Sequence, residues 1–421
     1  MLSSAFSFLF VVFLLLTLGL RYWLARRHIR HVLRHRARVP AEFADRISLP
    51  AHQKAADYTV VKTRFGLWVA LWNTLVLTGF TLLGGLQALS TALLHAFGPG
   101  MVHQIGLIVA FSAVSGALDL PFAYYRQFVL EERFGFNKMT HRLWLTDLVK
   151  ETALGAALGL PLLWVVLTLM DKAGTLWWLY AWVVWTGYML LVMVIHPIVI
   201  APLFNKFTPL TDESLKTRIE GLLKRVDFAA RGLFVMDGSK RSTHGNAYFA
   251  GLGAKRRIVF YDTLLARLAP SEMEAVLAHE LGHFKLKHIV KRIVVMVALS
   301  LVFFALLGWL KTQVWFYTGL GVAPLLGQPN DALALLLFGM ALPVFSFPFA
   351  PLASLTSRKH EFEADAFAAR HSDVRDLISA LIKIYDDNAS TVTPDPLHSA
   401  FYDSHPPASV RIHHLRSAGA A

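Results

Sequence analysis

Long apolar segments dominate the hydropathy pattern of this chain and alternate with shorter, polar and basic segments. A helix needs ~20 apolar residues to cross a bilayer, and seven segments reach that length. They lie at Ser4–Leu24, Leu67–Phe97, Val102–Tyr125, Thr152–Met170, Leu176–Leu203, Ile289–Leu310 and Ala332–Leu355. The pattern therefore predicts a mainly α, polytopic membrane protein with seven transmembrane helices.

The segment between the fifth and sixth apolar runs, residues 204–288, has a different periodicity. Glu213–Arg225 has the spacing of an amphipathic helix. Short strands rich in branched and aromatic residues are predicted at Leu233–Met236, Asn246–Ala250 and Arg257–Tyr261. Ser271 and Glu274 have the spacing of a capping box, which predicts a helix that begins near Glu272. This segment is therefore predicted to be a small soluble insertion with a β-sheet.

Composition agrees with a membrane protein. Hydrophobic residues make up 55% of the chain, charged residues 16%, and mean hydropathy is +0.48. Globular proteins are usually about 45–50% apolar and about 25% charged. The chain has no cysteine, which excludes disulfides, iron–sulfur clusters and thiolate zinc sites. Any zinc must be held by histidine and carboxylate.

The formal net charge of +13 is concentrated beside the apolar segments. Ten lysines and arginines lie between residues 26 and 64, directly after the first segment. Juxtamembrane basic clusters of this kind mark the cytoplasmic side and bind anionic lipid. Because no nucleic-acid-binding module accompanies the charge, nucleic acid is not an expected partner. The first segment has no basic residue before it, so it is interpreted as a retained anchor and not as a signal peptide.

Counting spans from the first basic cluster gives a consistent topology. The predicted external connections 98–101, 171–175 and 311–331 contain only Lys172 and Lys311 as basic residues. The predicted cytoplasmic segments are 25–66, 126–151, 204–288 and 356–421. Every long basic segment therefore lies on the same side, as the positive-inside rule requires.

The predicted helix after Glu272 carries His279-Glu280-Leu281-Gly282-His283. Histidines four residues apart project from one helical face and can bind one metal ion. Glu280, next to the first ligand, can act as general base on a water that zinc activates. The alternative is a surface helix with two histidines, but the independent prediction of a helix at this position favours the metal site.

A catalytic zinc needs a third protein ligand. Between Phe284 and Ser357 the only acidic residue lies on the predicted external side, so the ligand must come from the acidic residues beyond the seventh span. Glu361 and Asp365 share a helical face, and Glu363 points away from it. We assign Glu361 as the third ligand and Asp365 as hydrogen-bond partner of a ligand histidine. The alternative is a solvated charged face.

His288 lies five residues after His283. In a continuous helix it would be about 140° away around the axis. It is therefore predicted to be an interfacial histidine and not a ligand.

These features together resemble the type I CAAX prenyl endopeptidases, which are integral membrane zinc metalloproteases. The resemblance spans nearly the whole chain. Besides the seven spans and the two zinc-site motifs, it includes Glu132-Arg133-Phe134-Gly135-Phe136-Asn137-Lys138, the segment from His196-Pro197 to Pro209, Asn246-Ala247-Tyr248, and Ser404-His405-Pro406-Pro407 with Arg411.

The resemblance implies that the transmembrane helices form a hollow α-barrel around a water-filled chamber. It implies a zincin-like catalytic domain on the cytoplasmic side, with one Zn²⁺ per chain. It also implies that the strand with Asn246, Ala247 and Tyr248 binds an extended substrate by β-augmentation. By the same resemblance, His405 and Arg411 steady the substrate carbonyl and the developing oxyanion.

This interpretation divides the chain into four parts. They are an N-terminal membrane region with five transmembrane helices (1–203), a catalytic segment with the zinc-binding helix (204–288), transmembrane helices six and seven (289–355), and a C-terminal segment that supplies Glu361, His405 and Arg411 (356–421). Asp119, within the third span, is expected to face the hydrated chamber or a paired structural partner.

Two other functions fit some of these features. An intramembrane site-2-type protease places its zinc motif in an apolar span, but the motif helix here contains Glu272, Glu274, Lys285 and Lys287. A membrane chaperone or transporter scaffold is compatible with seven spans, but it would leave the ligands and the base unexplained.

The expected partners are the lipid bilayer and a peptide or protein substrate that is membrane-associated or lipidated. The absence of cysteine and the short external loops favour a bacterial member in the inner membrane, with its active site on the cytoplasmic side. Membrane-protein quality control is consistent with this interpretation. The sequence leaves the physiological substrate and the oligomeric state open.

Overall fold

The computed structural model describes residues 1–230, 232–250, 257–325 and 327–419. The helices are α1 (Leu2–His35), α2 (Leu49–Phe80), α3 (Gly85–Phe97), α4 (Met101–Tyr125), α5 (His141–Lys172), α6 (Trp177–Ile195), α7 (Ala201–Phe204), α8 (Glu213–Arg225), α9 (Asp262–Leu265), α10 (Pro270–Lys285), α11 (His288–Leu310), α12 (Val314–Gly319), α13 (Asp331–Ser346), α14 (Ala350–His371), α15 (Val374–Asp387), α16 (Pro396–Tyr402) and α17 (Ala408–Gly419). The strands are β1 (Phe207–Pro209), β2 (Leu233–Met236), β3 (Ala247–Ala250) and β4 (Arg257–Tyr261).

The apolar helices form the membrane region. Six helical segments of the described chain are long and apolar enough to cross a bilayer, and α2 with α3 provides a seventh if this bent pair counts as one span. The six are Leu2–His35, Met101–Glu131, His141–Lys172, Gly174–Phe204, His288–Leu310 and Asp331–His371. This confirms the prediction of a mainly helical, polytopic membrane protein.

The second span differs from the single helix that its hydropathy predicts. α2 and α3 meet at an angle of 50°. Gly84, at the bend, has φ = 78°, a left-handed conformation that glycine adopts without steric cost. Hydropathy detects the apolar length of a segment but not a break inside it.

The soluble insertion contains a small mixed sheet with the strand order β1-β2-β4-β3. β2 and β4 are parallel, whereas β1 and β3 are antiparallel to their neighbours. β1 had not been predicted. Ile258 and Phe260 of β4 join a buried core with apolar residues of α8 and α10. β3 lies at one edge of the sheet, as far as the described residues show.

The first turn of α10 differs from the predicted capping box. The helix begins at Pro270, since proline suits the first helical position and needs no partner for its nitrogen. The backbone N–H of Ala269 donates to Oε2 of Glu272 at 2.7 Å, so Glu272 caps the helix instead of Glu274. Glu274 forms ion pairs with Arg218 and with Arg225. The assignment of Ser271 with Glu274 was therefore wrong.

A close contact between α10 and α14 brings the histidine motif of α10 next to the acidic motif of α14. Gly282 of α10 faces Ala364 and Phe367 of α14. A Cβ at residue 282 would lie 3.0 Å from Cα of Ala364 and 3.0 Å from Cβ of Phe367, which is tighter than ordinary van der Waals contact. The absence of a side chain at Gly282 therefore lets the two helices approach each other.

Replacing Gly282 should push these helices apart. We expect Gly282→Ala to destabilise the protein by about 1–3 kcal/mol, because overpacking outweighs the gain of up to about 1 kcal/mol in helix propensity. Thermal unfolding in detergent measures the effect. Gly221→Ala in α8 is the matched control, since its Cβ would meet only Nη1 of Arg225 at 3.6 Å. Equal melting temperatures for the two variants would contradict the close contact.

Candidate metal centre

Two histidines of α10 and one glutamate of α14 converge on a single point. The Nε2 atoms of His279 and His283 are 3.2 Å apart. Oε2 of Glu361 is 3.5 Å from Nε2 of His279, and Oε1 is 3.3 Å from Nε2 of His283. Ligand atoms at about 2.0–2.1 Å from a tetrahedral ion lie about 3.3–3.4 Å from one another. The three side chains are therefore spaced to hold one metal ion.

The outer nitrogen of His279 has a buried carboxylate as its partner. Nδ1 of His279 is 2.9 Å from Oδ1 of Asp365, whose side chain is 0% exposed. Burial and the Arg411 guanidinium lower the pKa of His279, but hydrogen bonds with Asp365 and Glu361 outweigh them and raise it to about 9. Carboxylates that favour a charged imidazole also favour a cation bound at this position.

Arg411 balances the negative charge behind the ligands. It is buried and forms two hydrogen bonds with Asp365, from Nε to Oδ2 at 2.8 Å and from Nη2 to Oδ1. Its Nη1 is 3.5 Å from Oε2 of Glu361. The guanidinium therefore contacts one candidate ligand, Glu361, and the carboxylate that supports another, and α17 supplies it to a site built on α10 and α14.

Glu280 lies on α10 next to His279. Its side chain is half-buried and forms no hydrogen bond or ion pair with the described residues. By contrast, Glu272 and Glu274 of the same helix are engaged in ion pairs. The Glu280 carboxylate is therefore available to accept a proton from a reacting molecule.

His405 connects the ligands to a large cavity. Its Nδ1 is 2.8 Å from Oε2 of Glu361, and its side chain is 60% exposed. The cavity has a volume of about 810 Å³ and extends from His405 to α1 and α2. Its other polar lining residues include Arg21, His28, Tyr58, Lys62 and His244. A peptide in this cavity would contact His405 before it reached the buried Arg411.

The strand predicted to bind substrate lies near α10. Ala247 and Tyr248 belong to β3, and Asn246 directly precedes it. β3 pairs with β4 on one side, and its other side is unpaired among the described strands. An edge strand offers unpaired backbone N–H and C=O groups to an extended peptide. Within the described residues, this edge is therefore free to pair with a peptide.

Asp119 is exposed on α4 and forms no ion pair or hydrogen bond with the described part of the chain. Of the two expectations for this residue, a paired structural role is therefore disfavoured.

His288 lies at the start of a candidate span, where an interfacial residue is expected, but its side chain turns back against His283. Its side chain is 1% exposed, and its Nδ1 is 3.1 Å from Nδ1 of His283. The prediction assumed one continuous helix. Instead, Lys287 adopts a left-handed conformation with φ = 57°, so α10 ends and α11 begins at His288 in a new direction. A non-glycine residue with positive φ cannot be read from the sequence.

Glu363 does point away from the metal ligands, but it contacts His288. Its Oε2 is 2.9 Å from Nε2 of His288. His288, His360 and Glu363 form a second group of potential ligands near the first one.

Comparisons with known proteins cover both halves of the chain. Residues 28–206 match the model of the CAAX prenyl protease N-terminal region with five membrane helices. Residues 209–418 match the model of peptidase family M48.

Curated relatives and a solved structure agree with these matches. CAAX prenyl protease 1 of Saccharomyces cerevisiae is 36% identical over 397 residues, which are 89% of this chain and 88% of the relative. The human CAAX prenyl protease 1 homolog is 31% identical, covering 94% and 92% of the two chains. The crystal structure of S. mikatae Ste24p superimposes with a TM-score of 0.90 at 32% identity, over 97% of this chain and 99% of that one.

The ligand assignment can be tested by metal content. The Glu361→Ala variant, purified with excess Zn²⁺, should contain no bound metal, because one of the three ligands is removed. Glu363→Ala, two residues further along α14, should retain one equivalent. Atomic emission spectroscopy of the two variants measures the difference. The reverse pattern would reassign the third ligand to Glu363.

Proposed function

Because the chain belongs to peptidase family M48 and is a membrane metalloendopeptidase, we propose that it cleaves peptides with one Zn²⁺ held by His279, His283 and Glu361. The observation that carries this proposal is the convergence of the ligand atoms: the two imidazole Nε2 atoms are 3.2 Å apart, and the two oxygens of Glu361 lie 3.5 and 3.3 Å from them. Two imidazoles and one carboxylate are a known ligand set of catalytic zinc, which keeps a fourth position for water or substrate.

The residues of the chain have separate roles in this proposal. Bound zinc supplies Lewis acidity, which lowers the pKa of water to about 7 and polarises the substrate carbonyl. Glu280 accepts the proton of the attacking water and then donates it to the leaving amine. Asp365 accepts a hydrogen bond from Nδ1 of His279, which keeps Nε2 of that ring unprotonated and directed at the metal.

We propose that His405 and Arg411 stabilise negative charge on the substrate carbonyl oxygen as it develops. The exposure of His405 at the cavity supports a direct contact with substrate. Arg411 is 6% exposed, so its charge acts mainly through Asp365 and Glu361. A cation in a buried site acts over a longer range than one in water, since the local dielectric constant is low.

The substrate is proposed to bind as an additional strand along β3. Asn246, Ala247 and Tyr248 would supply backbone hydrogen bonds, which recognise an extended peptide largely independently of its sequence. Membrane-associated or lipidated peptides and proteins are the proposed substrates, since several relatives carry the name CAAX prenyl protease 1. A role in membrane-protein quality control would use the same mode of binding.

The catalytic segment is proposed to lie on the cytoplasmic side of a bacterial inner membrane. The basic cluster at residues 26–64, which begins in the last part of α1, supports the orientation, because basic segments beside a span remain in the cytoplasm. The bacterial assignment rests on the sequence features alone.

An intramembrane site-2-type protease is a weaker alternative. Glu272 of α10 pairs with Lys383, and Glu274 of the same helix pairs with Arg218 and Arg225. These ion pairs link α10 to the soluble helices α8 and α15. These contacts support the proposal that the metal-binding helix belongs to a soluble domain and not to a lipid-exposed span.

Removal of the general base separates an enzyme from a non-enzymatic scaffold. We expect Glu280→Gln to lower peptide hydrolysis by at least about 10²–10⁴-fold while one zinc per chain is retained. Cleavage of a fluorogenic peptide and the metal content of the same sample measure both effects. Glu213→Gln in α8 is the control, since Glu213 is exposed and, among the described residues, pairs only with Lys216. Full activity of Glu280→Gln would reject the proposed mechanism.

The topology can be tested directly, because the chain contains no cysteine. Single cysteines introduced at Lys172 and Glu213, both exposed, can be labelled with a membrane-impermeant maleimide. In intact cells whose inner membrane is accessible, Lys172→Cys should react at once and Glu213→Cys only after permeabilisation. The opposite order would invert the proposed orientation.

A further inference from the structure

A buried pair of side chains, His288 and Glu363, contacts the metal ligand His283 from behind. The left-handed turn at Lys287 brings the first residue of α11 back against the end of α10. Nδ1 of His288 lies 3.1 Å from Nδ1 of His283. On its other side, Nε2 of His288 lies 2.9 Å from Oε2 of Glu363. The three groups therefore form a continuous chain of hydrogen-bond distances.

One arrangement of protons satisfies every contact in this chain when a metal is bound. Nε2 of His283 faces His279 and Glu361, so its lone pair must be directed at the metal. The proton of His283 then lies on Nδ1 and is donated to Nδ1 of His288. His288 must therefore carry its own proton on Nε2, which donates to the Glu363 carboxylate. A neutral imidazole has one donor and one acceptor nitrogen, so His288 can accept a hydrogen bond from His283 and donate one to Glu363 at the same time.

The surroundings hold the His288 ring in place. The side chain is 1% exposed, and its ring stacks on that of His360 with centroids 4.1 Å apart and planes inclined by 10°. The nitrogen lone pairs of stacked rings lie in two separate, nearly parallel planes, which makes these two histidines poorly suited to converge on one ion. The geometry favours a hydrogen-bonding role for His288 over a second metal site.

The two ligand histidines are thus supported in different ways. Asp365 accepts directly from Nδ1 of His279 at 2.9 Å. The outer nitrogen of His283, Nδ1, has no carboxylate as its direct partner among the described residues. The ring of His288 lies between it and the carboxylate of Glu363. Outer partners of this kind orient a ligand histidine, fix its tautomer and increase its basicity.

We propose that His288 and Glu363 act as a positioning relay for His283, which fixes its tautomer and orientation and so increases the affinity of the site for zinc. The relay rests on the zinc site proposed above. Loss of such an outer partner typically costs 10–100-fold in metal affinity. Neither residue touches the substrate or the metal.

The test is the zinc dissociation constant of the full-length protein in detergent, measured by competition with a chromogenic chelator. His288→Phe retains the stacked ring but loses both hydrogen bonds, and it should raise the dissociation constant about 10–100-fold. Glu363→Gln still accepts a hydrogen bond, so a smaller increase is expected. At excess zinc both variants should still contain one equivalent of zinc, since a saturated site does not show a moderate loss of affinity.

Two variants separate positioning from packing. His360→Phe replaces the stacking partner by a ring of similar shape and leaves the relay atoms intact, so its dissociation constant should stay within about threefold of wild type. His288→Asn places an amide oxygen where Nδ1 of His288 accepts, so it should recover part of the affinity lost in His288→Phe. The melting temperature after chelator treatment should be the same for His288→Phe and wild type, which excludes misfolding as the cause.

An unchanged dissociation constant in a folded His288→Phe variant would overturn the relay, and so would failure of His288→Asn to bind more tightly than His288→Phe. Binding of two zinc equivalents by the wild type, with one lost in His288→Phe, would also overturn it, because His288, His360 and Glu363 would then be a metal site. Failure of the proposed function looks different, since the wild type itself would then bind no zinc.

Discussion

The close packing of α10 against α14 is the constraint on which the site depends. Neither helix can hold the proposed zinc alone, since α10 would supply two imidazoles and α14 the carboxylate. Gly282 lies between the two histidines and faces Ala364, so the turn of α10 that carries the proposed ligands is also in close contact with α14. The five-residue motif thus meets two requirements of the site. Its two histidines place their donor atoms on one helical face, and Gly282 has no side chain that would keep α14 away.

Opposite charges reduce the energetic cost of burying two carboxylates at this site. Glu361 and Asp365 are both almost fully buried, and an isolated buried carboxylate would be strongly disfavoured. Arg411 and the ligand histidines compensate for them, and a divalent cation would complete the balance. The C-terminal helix α17 is consequently part of the centre, although it lies more than a hundred residues from α10 in the chain.

Much of the fold and of the candidate centre can be predicted from the sequence because both follow local rules. Apolar length predicts the spans, and four-residue spacing places His279 with His283 and Glu361 with Asp365 on common helical faces. Features that depend on a single unusual backbone conformation could not be predicted. The turn at Lys287 places the side chain of His288 behind His283, and Gly84 divides the second span into two helices. The helix start at Pro270 was missed because a plausible capping pair two residues later competed with it.

X-ray absorption at the zinc edge tests the central claim most directly, because it reports the atoms around the metal in the purified, active protein. We expect two imidazole nitrogens at about 2.0–2.1 Å and carboxylate oxygen at about 2.0–2.2 Å, and no protein-bound zinc signal when Glu361 is replaced by alanine. Active protein without metal, or a zinc shell with fewer than two imidazoles, would contradict it.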